Sequence, residues 1–191
     1  GSGDLYFDGT SSSAVYEYAA GPNLGTSITQ FTINTWVYFN SLPGSSSSYF
    51  PSVFSLGLYT AVNPNATVNG TIMFYNGSSG NDNKLYTGFY DVPSGGWHAT
   101  SGYAVSTGTW YNTVMTYDGS YIRYYVNNSL FNYVAVSSTT MINGYGYRVA
   151  RRWDGYDTVD AYIPISMVYN RALSATEISQ NFNYHRGRYG L

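Results

Sequence analysis

The side chains from which a site could be built are few: two His, ten acidic residues, four Trp and no Cys in 191 residues. Trp153-Asp154 with Tyr156 sets an aromatic face beside a carboxylate. That pairing suits a sugar, whose C–H surface stacks on a ring while its hydroxyls take polar partners. Trp97-His98, in a Gly-rich segment expected to be a loop, is a second candidate of the same kind. Both must be weighed against abundance, because 19% of the chain is aromatic and any loop is expected to carry a ring. Asp154, Asp157 and Asp160 can offer hard oxygens to Ca²⁺, which takes six to eight. The plainer reading, preferred here, makes them turn-formers and solvated charges near Arg151 or Arg152.

Catalysis finds little to work with. Glycoside hydrolysis needs two carboxyl groups flanking one bond, and only Glu17 and Glu177 represent Glu. The spacing of three between Asp154, Asp157 and Asp160 would put strand neighbours on opposite faces. His98 and His185 have no Cys partner, and no nucleophile elbow or phosphate loop is present. The chain is therefore expected not to be an enzyme. Arg148, Arg151, Arg152, Arg186 and Arg188 lie among aromatics, yet eight basic residues and a net charge of −2 argue against nucleic acid as a partner.

Composition points to a sheet protein. Tyr alone contributes 23 residues, and Tyr, Thr, Val and Phe suit a pleated surface, while 21 Gly with many Ser and Asn suit turns. Charged residues are only 9% of the chain, so solubility rests on hydroxyls and amides. Four sequons, at Asn65, Asn69, Asn76 and Asn127, are possible glycosylation sites and lean toward an extracellular setting. No apolar run is long enough to insert into a membrane. Gly1-Ser2-Gly3 reads as an added leader, which leaves residues 4–191 as one domain.

About a dozen short strand-like runs recur between turn signals, from Asp4–Phe7 to Tyr162–Tyr169. Asp118-Gly119 and Asn127-Asn128 predict two tight reversals, making Trp110–Tyr117, Tyr121–Val126 and Leu130–Val136 an antiparallel meander. On the middle strand Ile122, Tyr124 and Val126 should face the core, while Tyr121, Arg123 and Tyr125 should be partly wet. Trp36 and Trp110 sit inside strand patterns and are expected in the core. Ser174-Ala175-Thr176-Glu177 has the form of a capping box, and Leu173, Ile178 and Phe182 continue it as an apolar stripe ending near Gly187.

Several of these segments resemble the concanavalin A-like lectin/glucanase superfamily in its laminin-G-like form. They are Leu5-Tyr6-Phe7-Asp8-Gly9, the strand from Phe31 to Val37, the hairpin from Trp110 to Asn128, and the closing Val168-Tyr169-Asn170-Arg171-Ala172-Leu173 run through Ile178. The resemblance covers residue 5 to the C-terminus and implies an all-β antiparallel jelly-roll sandwich with one short C-terminal helix. It also makes Arg171 structural. The end of the chain, Ile178–Leu191, is similar to the ends of structural proteins from viruses of bacteria and archaea. These likenesses imply a non-enzymatic virion-surface or cell-surface domain for recognition or adhesion, with a glycan or surface receptor as partner. An alternative is a purely structural capsid, turret or appendage component that self-assembles through Tyr-rich surface. A divergent glycoside hydrolase comes last. No cofactor is expected beyond Ca²⁺ at the Asp cluster.

Overall fold

Alternation along one strand organises this protein, whose computed structural model describes residues 5–9, 11–12, 15–16, 19–21, 28–42, 51–56, 71–75, 83–91, 96–136, 147–151 and 159–191. In chain order the strands begin with β1 (Tyr6–Asp8), β2 (Ser11–Ser12), β3 (Val15–Tyr16), β4 (Ala19–Gly21), β5 (Phe31–Phe39), β6 (Ser52–Leu56), β7 (Thr71–Tyr75) and β8 (Lys84–Asp91). They continue with β9 (Gly96–Ala99), β10 (Tyr103–Ala104), β11 (Trp110–Tyr117), β12 (Tyr121–Val126), β13 (Ser129–Ala135), β14 (Tyr147–Val149) and β15 (Asp160–Tyr169). Helix α1 (Ala175–His185) and a 3-10 turn at Arg186–Arg188 follow.

Among the described residues, one sheet has six strands in the order β1-β15-β5-β11-β12-β13. The other has seven, ordered β10-β8-β7-β6-β14-β4, with β9 also paired to β8. Every pairing is antiparallel. The expected jelly-roll sandwich is thus the observed one.

On β5 the odd positions Phe31, Ile33, Val37 and Phe39 enter the core between the sheets, against Val53, Phe54, Leu85 and Phe89 of the other sheet. The even positions Thr32, Asn34 and Trp36 are equally buried, although they face the opposite way. The cover is α1. Ile178 packs with Val114, Tyr125 and Leu173, while Phe182 and Tyr189 pack with Trp36. This corrects one expectation: Tyr125 is buried beneath the helix rather than wet. Trp36 is fully buried as expected, in this second core layer. Trp110 is half-buried on the same outer face, not a core residue.

Local chemistry explains how the helix is held. The Thr32 hydroxyl donates to the carbonyl of Arg171 and accepts from the N–H of Leu173, at 2.8 and 2.9 Å. Ser174 and Glu177 form the expected reciprocal cap, and Glu177 also pairs with Arg171 through both oxygens. The Arg171 guanidinium, then the Ser174 amide and hydroxyl, hold the Glu177 carboxyl down at about 2. A carboxyl depressed in the folded state stabilises the fold above its ordinary value of 4.5 and loses that contribution as pH falls toward 2. Part of any decline in Tm over that window should therefore vanish in Glu177→Gln, as followed by circular dichroism at stepped pH. An unchanged profile would contradict the assignment.

The two hairpins form as expected. Gly119 lies at φ +96°, and Asn127 and Asn128 lie at +47° and +68°, values the primed turns require. Asp118 accepts from the N–H groups of Ser120 and Tyr121 and pairs with Arg123. At the core end of β12 the Tyr124 hydroxyl is fully buried and finds no hydrogen-bond partner among the described residues. Burial pushes its pKa well above the ordinary phenol range. Replacing a buried unsatisfied hydroxyl with hydrogen removes a desolvation penalty, so Tyr124→Phe should gain about 1 kcal/mol. A urea titration should show a higher midpoint with an unchanged slope; a lower midpoint would show that the hydroxyl is satisfied.

Candidate functional site

On the outer face of the six-stranded sheet the helix packs over Trp36, Val114 and Tyr125. Past Trp36, β5 emerges from beneath it, and the next outward residue is Tyr38. Register then aligns four aromatic residues on four adjacent strands. Tyr6 of β1 stands opposite Tyr162 of β15, Tyr162 opposite Tyr38 of β5, and Tyr38 opposite Trp110 of β11. Their ring centroids are separated in turn by 4.9, 6.0 and 5.3 Å. Parity confirms that all point outward, since Phe7, Val37, Phe39, Tyr111 and Ala161 beside them enter the core. Tyr6 is 47% exposed, and the other three are half-buried.

The row has a wall at one end and a polar margin along one side. At the β11 end, Tyr189 lies 4.4 Å from Trp110 and 4.6 Å from Trp36, with the Arg188 guanidinium over its ring. At the other end the row runs out to β1, an edge strand. One step along the strands, Asp8 stands opposite Asp160, and the N–H of Asn40 donates to the Asp160 carbonyl. The Asp160 carboxylate accepts from the Tyr6 hydroxyl and the Asn40 amide at Oδ1, and from the Ser41 hydroxyl at Oδ2. Aromatic floor and polar margin therefore lie side by side on one open face. Partial loss of water, followed by the Asp160 carboxylate, raises the Tyr6 hydroxyl above its ordinary pKa, so it stays protonated and donating.

The residues singled out from sequence are scattered by comparison. Trp97 and His98 lie on β9, an edge strand paired to β8, and not in a loop. Gly88 allows that pairing, because a Cβ there would meet the His98 carbonyl oxygen at 2.3 Å. Trp97 is 44% exposed, whereas the half-buried His98 packs its ring 5.6 Å from Phe89 in the core. Strand alternation sends these neighbours to opposite faces, so they do not converge on one ligand. Trp153, Asp154, Tyr156 and Asp157 lie outside the described residues, as do Asn65, Asn69 and Asn76. Asp160 is placed, and its carboxylate ties β1, β15 and the end of β5 together. Asn127 uses its side-chain oxygen to accept from the N–H of Asn112 at 2.8 Å.

The profile of the concanavalin A-like lectin/glucanases superfamily matches residues 8–179. The chain belongs to this superfamily. Solved structures share its fold at low identity. A heptameric SAP-like pentraxin from Limulus polyphemus superimposes with a TM-score of 0.63 at 15% identity, over 92% of this chain and 79% of its own. Domain 4 of AbnA, an extracellular arabinanase from Geobacillus stearothermophilus solved in complex with arabinotriose, gives 0.62 at 16%, over 94% and 81%. A putative carbohydrate binding protein from Bacteroides ovatus gives 0.63 at 15%, over 85% of this chain and 44% of its own. No protein of curated function matches the chain. The superimposed structures share the sandwich.

Proposed function

We propose that this domain is a non-enzymatic glycan-binding module acting at a virion or cell exterior, with the row Tyr6, Tyr162, Tyr38 and Trp110 as its floor. The observation that carries the reading is the register that aligns four outward aromatics beside Asp8, Asp160, Asn40 and Ser41. Aromatic side chains offer apolar surface to sugar C–H groups, and carboxylates and amides can accept from and donate to hydroxyls. Two fold relatives support the class of ligand, one a putative carbohydrate binding protein and one solved with arabinotriose. The exterior setting draws on the scarcity of charge and on the likeness of the C-terminal segment to virion proteins. Among the described residues no helix is long and apolar enough to cross a membrane.

Binding is favoured over hydrolysis by the character of the two carboxylates. A general acid must keep its proton near neutral pH, which calls for an apolar pocket. Asp8 is instead exposed on an edge strand, and Asp160 already accepts three hydrogen bonds. A glycan array probed with the purified domain tests the reading. Specific signals should appear, fall in Trp110→Ala and survive in Trp97→Ala, with no reducing ends released in solution. A folded domain that binds nothing on the array, or one that cleaves its ligand, would overturn it.

One observation favours a second role in assembly. At the β13 edge, Tyr121 and Tyr133, whose rings lie 6.1 Å apart, are exposed along with Leu130, Tyr133 by 61%. Clustered apolar exposure of this kind marks contact surfaces. Light scattering after size exclusion should then report a defined oligomer that Tyr133→Asp dissociates. A monomer at all concentrations would dismiss this role.

A further inference from the structure

We propose that Tyr6 and Tyr162 form an oxidative cross-linking site served by a one-electron oxidant of the peroxidase class. The two rings join by a carbon–carbon bond, and the Asp160 carboxylate takes the Tyr6 proton. This role does not depend on the domain binding a glycan.

Register brings the pair together. Tyr6 of β1 stands directly opposite Tyr162 of β15, and their ring centroids are 4.9 Å apart at an interplanar angle of 33°. Rings at that spacing and tilt are in contact. The pairs Tyr38–Tyr162, Tyr103–Tyr111 and Tyr121–Tyr133 are wider, at 6.0, 6.1 and 6.1 Å, and are crossed at 71°, 71° and 66°.

A phenol gives up an electron readily only when its proton can leave as well. The Tyr6 hydroxyl donates to Asp160 Oδ1 at 3.2 Å, so the acceptor is already in place. Tyr6 is 47% exposed, which lets an oxidant too large to enter the fold reach its ring. An electron lost first at Trp110 can be replaced through Tyr38 and Tyr162, whose rings follow at 5.3 and 6.0 Å. The oxidation then settles where a proton acceptor waits.

Each phenol loses one electron and one proton to become a phenoxyl radical. The Tyr6 proton goes to Asp160, which passes it to water, and the Tyr162 proton goes to water directly. The two radicals couple through ring carbons ortho to oxygen. The hydrogens on those carbons then move to the oxygens and restore both phenols. The pair has lost two hydrogen atoms, and one hydrogen peroxide has been reduced to two waters. The new bond fastens β1, an edge strand of three residues, to its partner β15. A chain with no Cys has no disulfide with which to do this.

The full chain, kept dilute and treated with a heme peroxidase and hydrogen peroxide, is to be followed by dityrosine fluorescence, intact mass and peptide mapping. A monomer lighter by two hydrogen atoms should form, with the peptides that contain Tyr6 and Tyr162 joined. Tyr6→Phe and Tyr162→Phe should each abolish the joined peptide, while Tyr184→Phe should leave its yield unchanged. Asp160→Asn should slow the coupling roughly tenfold, and added imidazole, a soluble base, should restore the rate. A purely structural role for Asp160 would give no such rescue. A monomer that keeps its mass, or coupling confined to exposed tyrosines such as Tyr184, would overturn the proposal.

Discussion

Trp36→Ala is expected to lower the unfolding free energy by about 3–5 kcal/mol and to loosen the C-terminal helix from the sheet. Trp36 is the largest fully buried side chain among the described residues, and it joins the sheet to the helix. Its ring stacks 5.7 Å from Phe182 at an interplanar angle of 8° and lies 4.6 Å from Tyr189. Removing it opens a cavity at the centre of the contact between β5 and the helix, where the polar neighbours Asn34 and Asn112 cannot collapse to fill the space. The helix buries only Ile178 and Phe182 of its own residues, so it has little else to hold it down. Urea unfolding would report the loss in stability, and amide exchange would report faster opening of Ala175–His185 than of the core strands. A loss under about 1 kcal/mol, or an unchanged helix, would mean that the capping and Thr32 contacts alone secure it.

Tyr38→Ala and Trp110→Ala should have the largest effects on binding. The two rings occupy the middle and one end of the row, and each is half-buried against neighbouring rings that hold its orientation. Truncating a central aromatic anchor typically costs 2 kcal/mol or more, roughly a thirtyfold weaker Kd. Because the rings touch, the double variant should lose less than the sum of the singles. Titration calorimetry against the best array ligand would show this, with circular dichroism confirming the fold of each variant. Singles that bind as wild type would remove the row from the site.

Much of the fold was legible in the sequence because its signals are local. The Asp118-Gly119 and Asn127-Asn128 turns, the Ser174–Glu177 cap and the alternation on β12 each depend on neighbours a few residues apart. The family likeness then implied the jelly-roll sandwich with its closing helix. Burial of Tyr125 and the outward setting of Trp110 were not legible, since a strand covered on both faces carries no alternation to show which side is which. β9 was missed because Ser94-Gly95-Gly96, just ahead of Trp97, reads in sequence as a loop. The site was hidden for a related reason. Tyr6, Tyr38, Trp110 and Tyr162 are far apart in the chain and converge only through strand register, as do Asp8 and Asp160. Search for adjacent residues, such as Trp97-His98, favours pairs that a strand then splits between its faces.

The most direct test of the account is an amide and aromatic chemical-shift titration of the labelled domain with its best glycan. The account predicts saturable shifts at Tyr6, Asp8, Tyr38, Asn40, Trp110 and Asp160–Tyr162, with Trp97, His98 and the β13 edge unmoved. Shifts centred on Trp97, on residues 152–158 or on β13, with the aromatic row silent, would contradict it.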